Sequence, residues 1–462
     1  MIFCVCSPII FTHNPFFYLI TKPLGTLFIT YDAPNNHIFH TFLAHLSYDW
    51  FGQTLPALRL PALTAGILLI PAAYLAARSY FHDPRTALFT AVLTAASSAL
   101  VDYSVNARGY TLFCLLTLLV FSLAIYLKKR RSPVGWFMFV LFSVLGAYTI
   151  PTMLYPLAII YAWLFLSALV GETHPAYGKT FILYLAAAGL VSGLLTFLLY
   201  VPIILHAGPQ ALFANPTVSA RPWAVFMPTY PHFFDQAWAL WTRDLPLVVS
   251  GLILIGFAAG FILQGKLSPA RISFALVAIV LSPLMVLAQR LTPFGRVWLF
   301  LLPFYQMFAC AGLLALWERF TSSKLKSRPW TYLVAAFLVC AGLSWLVVQS
   351  GSVASSLETG ALVDAPQIAD YLKTLNGSEN KIISAGVSQN ILGYYFRQNG
   401  LVKSQGNDWK NLIVVVNTGM HQTFASVVQE NNLAPGLVGQ GEIIKTFNSA
   451  VVVKASLIST FP

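Results

Sequence analysis

The stretch Asp102-Tyr103-Ser104-Val105-Asn106-Ala107-Arg108-Gly109-Tyr110 lies between two apolar runs, Thr86–Val101 and Thr111–Leu127. An acid, a base and two tyrosines stand where the chain leaves one hydrophobic segment and enters the next. A charged side chain at the edge of hydrocarbon is costly unless it has a partner or a task. These nine residues therefore read as the lip of a polar pocket at one face of a membrane.

The wider composition agrees. Of 462 residues, 57% are hydrophobic and only 9% charged, with a mean hydropathy of +0.72. Water-soluble domains carry about 25% charged residues, so the chain reads as an α-helical polytopic membrane protein. Lys and Arg outnumber Asp and Glu 27 to 15. No basic stripe interleaved with aromatics accompanies that excess, which argues against nucleic acid and for basic loops beside anionic lipid. The five cysteines match no zinc or redox spacing.

Apolar runs predict spans at 58–80, 86–101, 109–127, 134–150, 152–170, 180–205, 246–264, 272–289, 297–317 and 330–348. Met1–Thr12 is apolar but shorter than the roughly 20 residues a crossing needs, and it lacks signal-peptide flanks. It reads as the end of an eleventh span whose start is missing from this chain. The loops 78–85, 128–133, 171–179, 265–271 and 318–329 hold thirteen basic residues, and the alternate loops hold far fewer. The positive-inside rule puts the first set in the cytoplasm. The outer side then owns the first loop (13–56), the Asp102–Arg108 stretch, the long loop 206–245, the turn Arg290–Arg296 and the tail. One working face and one blank face suit an enzyme acting at a single leaflet. Two domains follow from this reading: a membrane part, 1–348, and an extracytoplasmic part, 349–462. In the latter, Lys381–Val387, Asn411–Asn417 and Ala450–Lys454 are strand-like and alternate with helix candidates, which predicts a small α/β domain.

The first outer loop offers His37 and His40, which share a helix face if Pro34 starts a helix. No third ligand stands at helical spacing. No metal or other cofactor is expected on this pattern, although Asp32, by bending back, leaves a divalent ion open. Polar cavity lining is the better reading of the pair. Arg59, at the start of the next span, would grip a lipid phosphate or snorkel.

The series APNNHIFHTFLAHL (33–46), LRLPALTAG (58–66), DYSVNARGYTL (102–112), YTIPTMLYP (148–156) and RVWLFLLPF (296–304) resembles the bacterial GT-C glycosyltransferases. The likeness is to the dolichyl-phosphate-mannose mannosyltransferase and ArnT-like type, families 39 and 83, over about residues 15–320. It implies many spans, a large first outer loop with juxtamembrane helices, and a polyprenyl-phosphate sugar donor. It also implies transfer to a lipid, glycan or protein acceptor at the outer leaflet of a bacterial inner membrane, with inversion. Fixed guanidiniums would stabilise the departing lipid phosphate. Arg108, Arg290 and Arg296 are the candidates, with Asn35, Asn36, His37, His40, Arg59 and Tyr110 as further substrate-binding residues.

A carboxylate has to orient or deprotonate the acceptor hydroxyl. In the family it comes from an Asp-Glu pair just after the first span, and the matching place here holds His13-Asn14. Three explanations stay open. The start of the chain is disturbed, which fits the incomplete first span. Asp32 or Asp102 does the work, with His13 as a further base. Or transfer has been lost and lipid binding kept. A lipid-linked saccharide transporter or an inactive lipid-binding scaffold is the alternative function.

Overall fold

A computed structural model describes residues 20, 22–31, 36–177, 180–213, 219–320, 329–355, 362–398 and 409–458. Two units separate, one spanning Leu19–Ser350 and one that includes Gly351–Pro462. Numbering only helices of seven or more residues, the first unit holds α1 (Ile38–Phe51), α2 (Leu55–Phe81), α3 (Pro84–Ala95), α4 (Ser98–Val105), α5 (Tyr110–Lys129), α6 (Pro133–Thr149), α7 (Leu154–Leu169) and α8 (Thr180–Ala207). It continues with α9 (His232–Trp241), α10 (Leu247–Ile262), α11 (Phe274–Gln289), α12 (Leu301–Phe320) and α13 (Pro329–Ser350).

Local chemistry starts these helices where the loops end. Asp83 caps α3 by accepting from the amides of Arg85 and Thr86, with Pro84 in the first turn. Ser132 caps α6 through the Gly135 amide at 3.0 Å, ahead of Pro133. A side-chain acceptor at the N-cap satisfies one of the amides that a helix leaves orphaned, and proline there loses no hydrogen bond.

Each of the ten apolar runs is helical, and the helices differ in length. Among the described residues, six helices are long and apolar enough to cross a membrane, and α3 with α4 makes a seventh, bent by 55°. α6, α10 and α11 are shorter, at 17, 16 and 16 residues. Hydropathy counts apolar residues whether or not helical hydrogen bonds run through them. The break at Ala96–Ser97 and the left-handed Arg290 after α11 are invisible to it.

α5 is the enclosed centre of this unit: 78% of its apolar window is buried, against 17% in α8 and in α13. Phe121 of α5 meets the rings of Trp163, Phe274 and Phe304 at 4.6–5.5 Å. α10 and α12 touch through backbone. A Cβ on Gly312 would lie 1.9 Å from the Gly256 carbonyl oxygen, and one on Gly260 would lie 2.0 Å from that of Phe308. Small residues at such a seam replace the missing hydrophobic drive between helices in lipid with close packing.

The second unit contains α14 (Ala365–Thr374), β1 (Asn380–Ile383), α15 (Gly386–Gln398), β2 (Asn411–Asn417), α16 (Phe424–Glu430), β3 (Glu442–Thr446) and β4 (Ala450–Ser456). The sheet order is β1-β2-β4-β3. The β1-β2 pair is parallel and the other two are antiparallel. Leu412 to Asn417 of β2 are all buried, as a central strand covered on both faces requires. The chain is thus a mostly helical membrane protein with a small mixed sheet in its C-terminal region.

Candidate functional site

α4 ends at Val105 and α5 starts at Tyr110, and Asn106–Gly109 form the break between them. This break meets the start of α1. The Gly109 amide donates to Nδ1 of His37 at 2.8 Å. A backbone N–H can only donate, so Nδ1 is the acceptor and the proton of the neutral imidazole sits on Nε2. The approach needs glycine, since a Cβ at position 109 would stand 3.2 Å from that ring nitrogen and 2.7 Å from a methyl of Thr149. Burial, then the Arg108 charge, His40 and Arg296 hold His37 well below the usual imidazole range.

Tyr110 packs edge-on to His37 at 4.9 Å, and Tyr103 packs on Tyr110 at 5.0 Å. The Tyr110 hydroxyl accepts from Nε of Arg296 at 2.9 Å. Arg296 also lies over the Phe294 ring at 4.3 Å. Residues 37, 108–110 and 296, far apart in the chain, therefore form one cluster of a neutral imidazole, a phenol and two guanidiniums.

The other predicted residues fall differently. His40 is fully buried, and burial pushes its pKa down to about 3. Asn36 is spent within the fold, since its amide donates to the Thr30 carbonyl at 3.0 Å and its oxygen accepts from Thr41 at 3.1 Å. Arg59 is 3% exposed. It is enclosed by protein, and the first turn of α2 is tied to α1, whose Ser47 hydroxyl donates to the Ala57 carbonyl at 2.6 Å. Asp32, Asn35 and His13 lie outside the described residues.

Two further candidates take partners of their own. Asp102 is not a loop residue at the pocket's lip. α4 carries it inward, where its fully buried side chain accepts from Arg243 at 2.8 Å. The same guanidinium donates to the Ser98 carbonyl at 3.1 Å. The carboxylate is fully buried and its Arg243 partner partly so, and the pair ties α4 to the segment after α9. Arg290 caps α11 with φ +50°, and its guanidinium lies 5.6 Å from the Trp223 ring, which joins it to the segment before α9.

Arg243 was the residue that sequence reasoning passed over. Its only signal was a charge placed directly before an apolar run. Among the described residues no group of three or more His, Cys, Asp or Glu is arranged to hold a metal ion.

Two cavities open in the helical unit. One of about 620 Å³ lies among α6, α7 and α8, lined by Tyr161, Ser192, Phe197, Tyr200 and Tyr31. The other, about 320 Å³, lies under α9, lined by Trp238, Trp241, Phe257, Trp298 and Tyr305. Both are walled mainly by apolar and aromatic side chains.

Residues 32–200 match the family model of dolichyl-phosphate-mannose-protein mannosyltransferase. No curated protein matches the chain in sequence. Among solved structures, apo ArnT from Cupriavidus metallidurans is similar at TM-score 0.54 and 14% identity, covering 90% of this chain and 87% of that one. The Archaeoglobus fulgidus oligosaccharyltransferase tethered to an acceptor peptide is similar at TM-score 0.51 and 12% identity, covering 97% and 70%. The same organism's AglB, in complex with an inhibitory peptide and a dolichol-phosphate, gives 0.50 and 11%, covering 97% and 71%. The chain thus has a fold of the GT-C glycosyltransferase type over nearly its whole length, and the family match covers the part of the cluster from His37 to Tyr110.

Proposed function

We propose that the protein transfers a sugar from a polyprenyl-phosphate donor to an acceptor hydroxyl or amide at the non-cytoplasmic face of the membrane, with inversion. The observation that carries this reading is the chain of contacts from Arg296 through Tyr110 to His37 at the Asn106–Gly109 break, with the Arg108 charge acting on the same imidazole. In the transfer, the acceptor atom bonds to the anomeric carbon while the bond from that carbon to the phosphate oxygen breaks. The electron pair leaves with the lipid phosphate, and the acceptor's proton goes to a base. Two guanidiniums in a partly water-excluded site would stabilise the departing phosphate more than the bound ester, which is what accelerates the step. His37, neutral and with its proton on Nε2, adds a donor rather than a charge. The base is proposed to be Asp32 or His13, with Asp102 acting only through α4. The apolar cavities suit the prenyl chain, and the basic short loops support a cytoplasmic face opposite the cluster.

The test is transfer by the purified full chain of radiolabel from a panel of polyprenyl-phosphate sugars. Arg108→Ala and Arg296→Ala should each lower kcat/KM about 100-fold or more with normal membrane insertion. Lipid binding without transfer from any donor in the wild type would instead identify an inactive scaffold.

A further inference from the structure

Asn106 opens the break between α4 and α5, and it is 6% exposed. Neither its side-chain oxygen nor its side-chain nitrogen has a hydrogen-bond partner among the described residues. Its surroundings are otherwise well satisfied. Its own backbone carbonyl accepts from the Arg108 amide at 2.8 Å, the Gly109 amide is taken by His37, and the nearby Asn36 carboxamide is used at both ends. A buried carboxamide left wholly unpaired weakens the fold, and an apolar residue of similar shape would remove that cost. Its place next but one to Arg108 points to a ligand.

We infer that Asn106 recognises the sugar of the lipid-linked donor by binding a pair of neighbouring hydroxyls. The chemistry selects this ligand. A phosphate only accepts, so it would pair the NH₂ and leave the carbonyl orphaned. A prenyl chain would pair neither. Two adjacent hydroxyls, one accepting and one donating, satisfy both ends. The sequence position selects it too, because a sugar bonded to a phosphate at Arg108 lies within a residue or two of Asn106. The carboxamide is shielded from water, so the partly buried Arg108 side chain has to turn onto the phosphate for the sugar to reach it. This inference rests on the donor reading above. It adds a binding residue that discriminates sugars rather than a catalytic group.

The experiment is thermal unfolding of the full chain in nanodiscs, for wild type, Asn106→Leu and the isosteric Asn106→Asp. Each is measured alone, with undecaprenyl phosphate, and with undecaprenyl-phosphate glucose, mannose or arabinose. Asn106→Leu alone should melt a few degrees above wild type, since an orphaned polar group has been removed. All three proteins should be stabilised by undecaprenyl phosphate. One sugar-bearing lipid should stabilise wild type further, and both variants should lose that increment. A lower melting point for both variants without ligand, an increment they retain, or no increment from any sugar in wild type would overturn the inference. No shift with bare undecaprenyl phosphate would overturn the donor reading itself, and this inference with it.

Discussion

His37 links loop, helix and charge through two ring atoms. Nδ1 takes the Gly109 amide, which ties the start of α1 to the break before α5, and the imidazole stays neutral beside Arg108 and Arg296. A measurable consequence follows for His37 and His40 together. Unfolded imidazoles bind a proton as pH falls through about 6.5, whereas folded His40 does so only near 3 and folded His37 also far below its usual range. Between about 6.5 and 3 the unfolded state holds more protons. The stability these residues confer is therefore complete above pH 6.5 and is lost progressively on acidification. The melting temperature should fall between pH 7 and pH 5, and less steeply in His40→Phe. Equal slopes would show that His40 does not carry the effect. The histidines, Arg108, Tyr110 and Arg296 were legible as candidates from residue type and position at a boundary. Asn106 was not, since an asparagine in a loop reads as solvated until its burial is seen.

Among the elements, α4 is the one that hydropathy misplaced. The bend at Ala96–Ser97 turns Ser98–Val105 so that Asp102 meets Arg243 instead of the outer solution. Removing Arg243 strands the fully buried Asp102 carboxylate, at about 3–5 kcal/mol, and removing Asp102 costs less because Arg243 is partly exposed. Asp102→Asn and Arg243→Ala should each reduce the yield of folded protein, and Asp102→Leu with Arg243→Met should restore both yield and transfer. Recovery of yield without transfer would return Asp102 to the catalytic list. The α10–α12 seam makes the complementary prediction. Gly260→Val forces a side chain against the Phe308 carbonyl, and overpacking of this kind costs about 1–3 kcal/mol or more. A sharp loss of thermal stability should be seen in Gly260→Val and not in Gly265→Val, where a Cβ meets nothing within 4 Å. In the second unit, β2 coincided with its β-branched run, while β3 had no such signal. Its residues Glu442–Thr446 are mostly exposed at the sheet edge, where polar side chains are tolerated because half the strand faces water.

For the molecule as a whole, basic loops imply that the turn before α6 and the end of α8 lie on opposite sides of the membrane. In a cysteine-free background, Ser132→Cys should react with an impermeant maleimide only from the cytoplasmic side, and Gln210→Cys only from the other. Labelling of both from one side would reverse the orientation argument and the location of the cluster with it. Read alone, the sequence established a helical membrane protein, its ten apolar helices, the strand-bearing C-terminal region and the likeness to GT-C enzymes. All of these rest on local composition or on short motifs. The tertiary structure alone decided which boundary charges are partners and which face a site. Asp102 and Arg108 are six residues apart and face different tasks, while Arg296 reaches Tyr110 across 186 residues. Pairing between charges in a bundle depends on helix bends and rotations of a few tens of degrees. Those are set by packing among all the helices at once, and no single stretch encodes them.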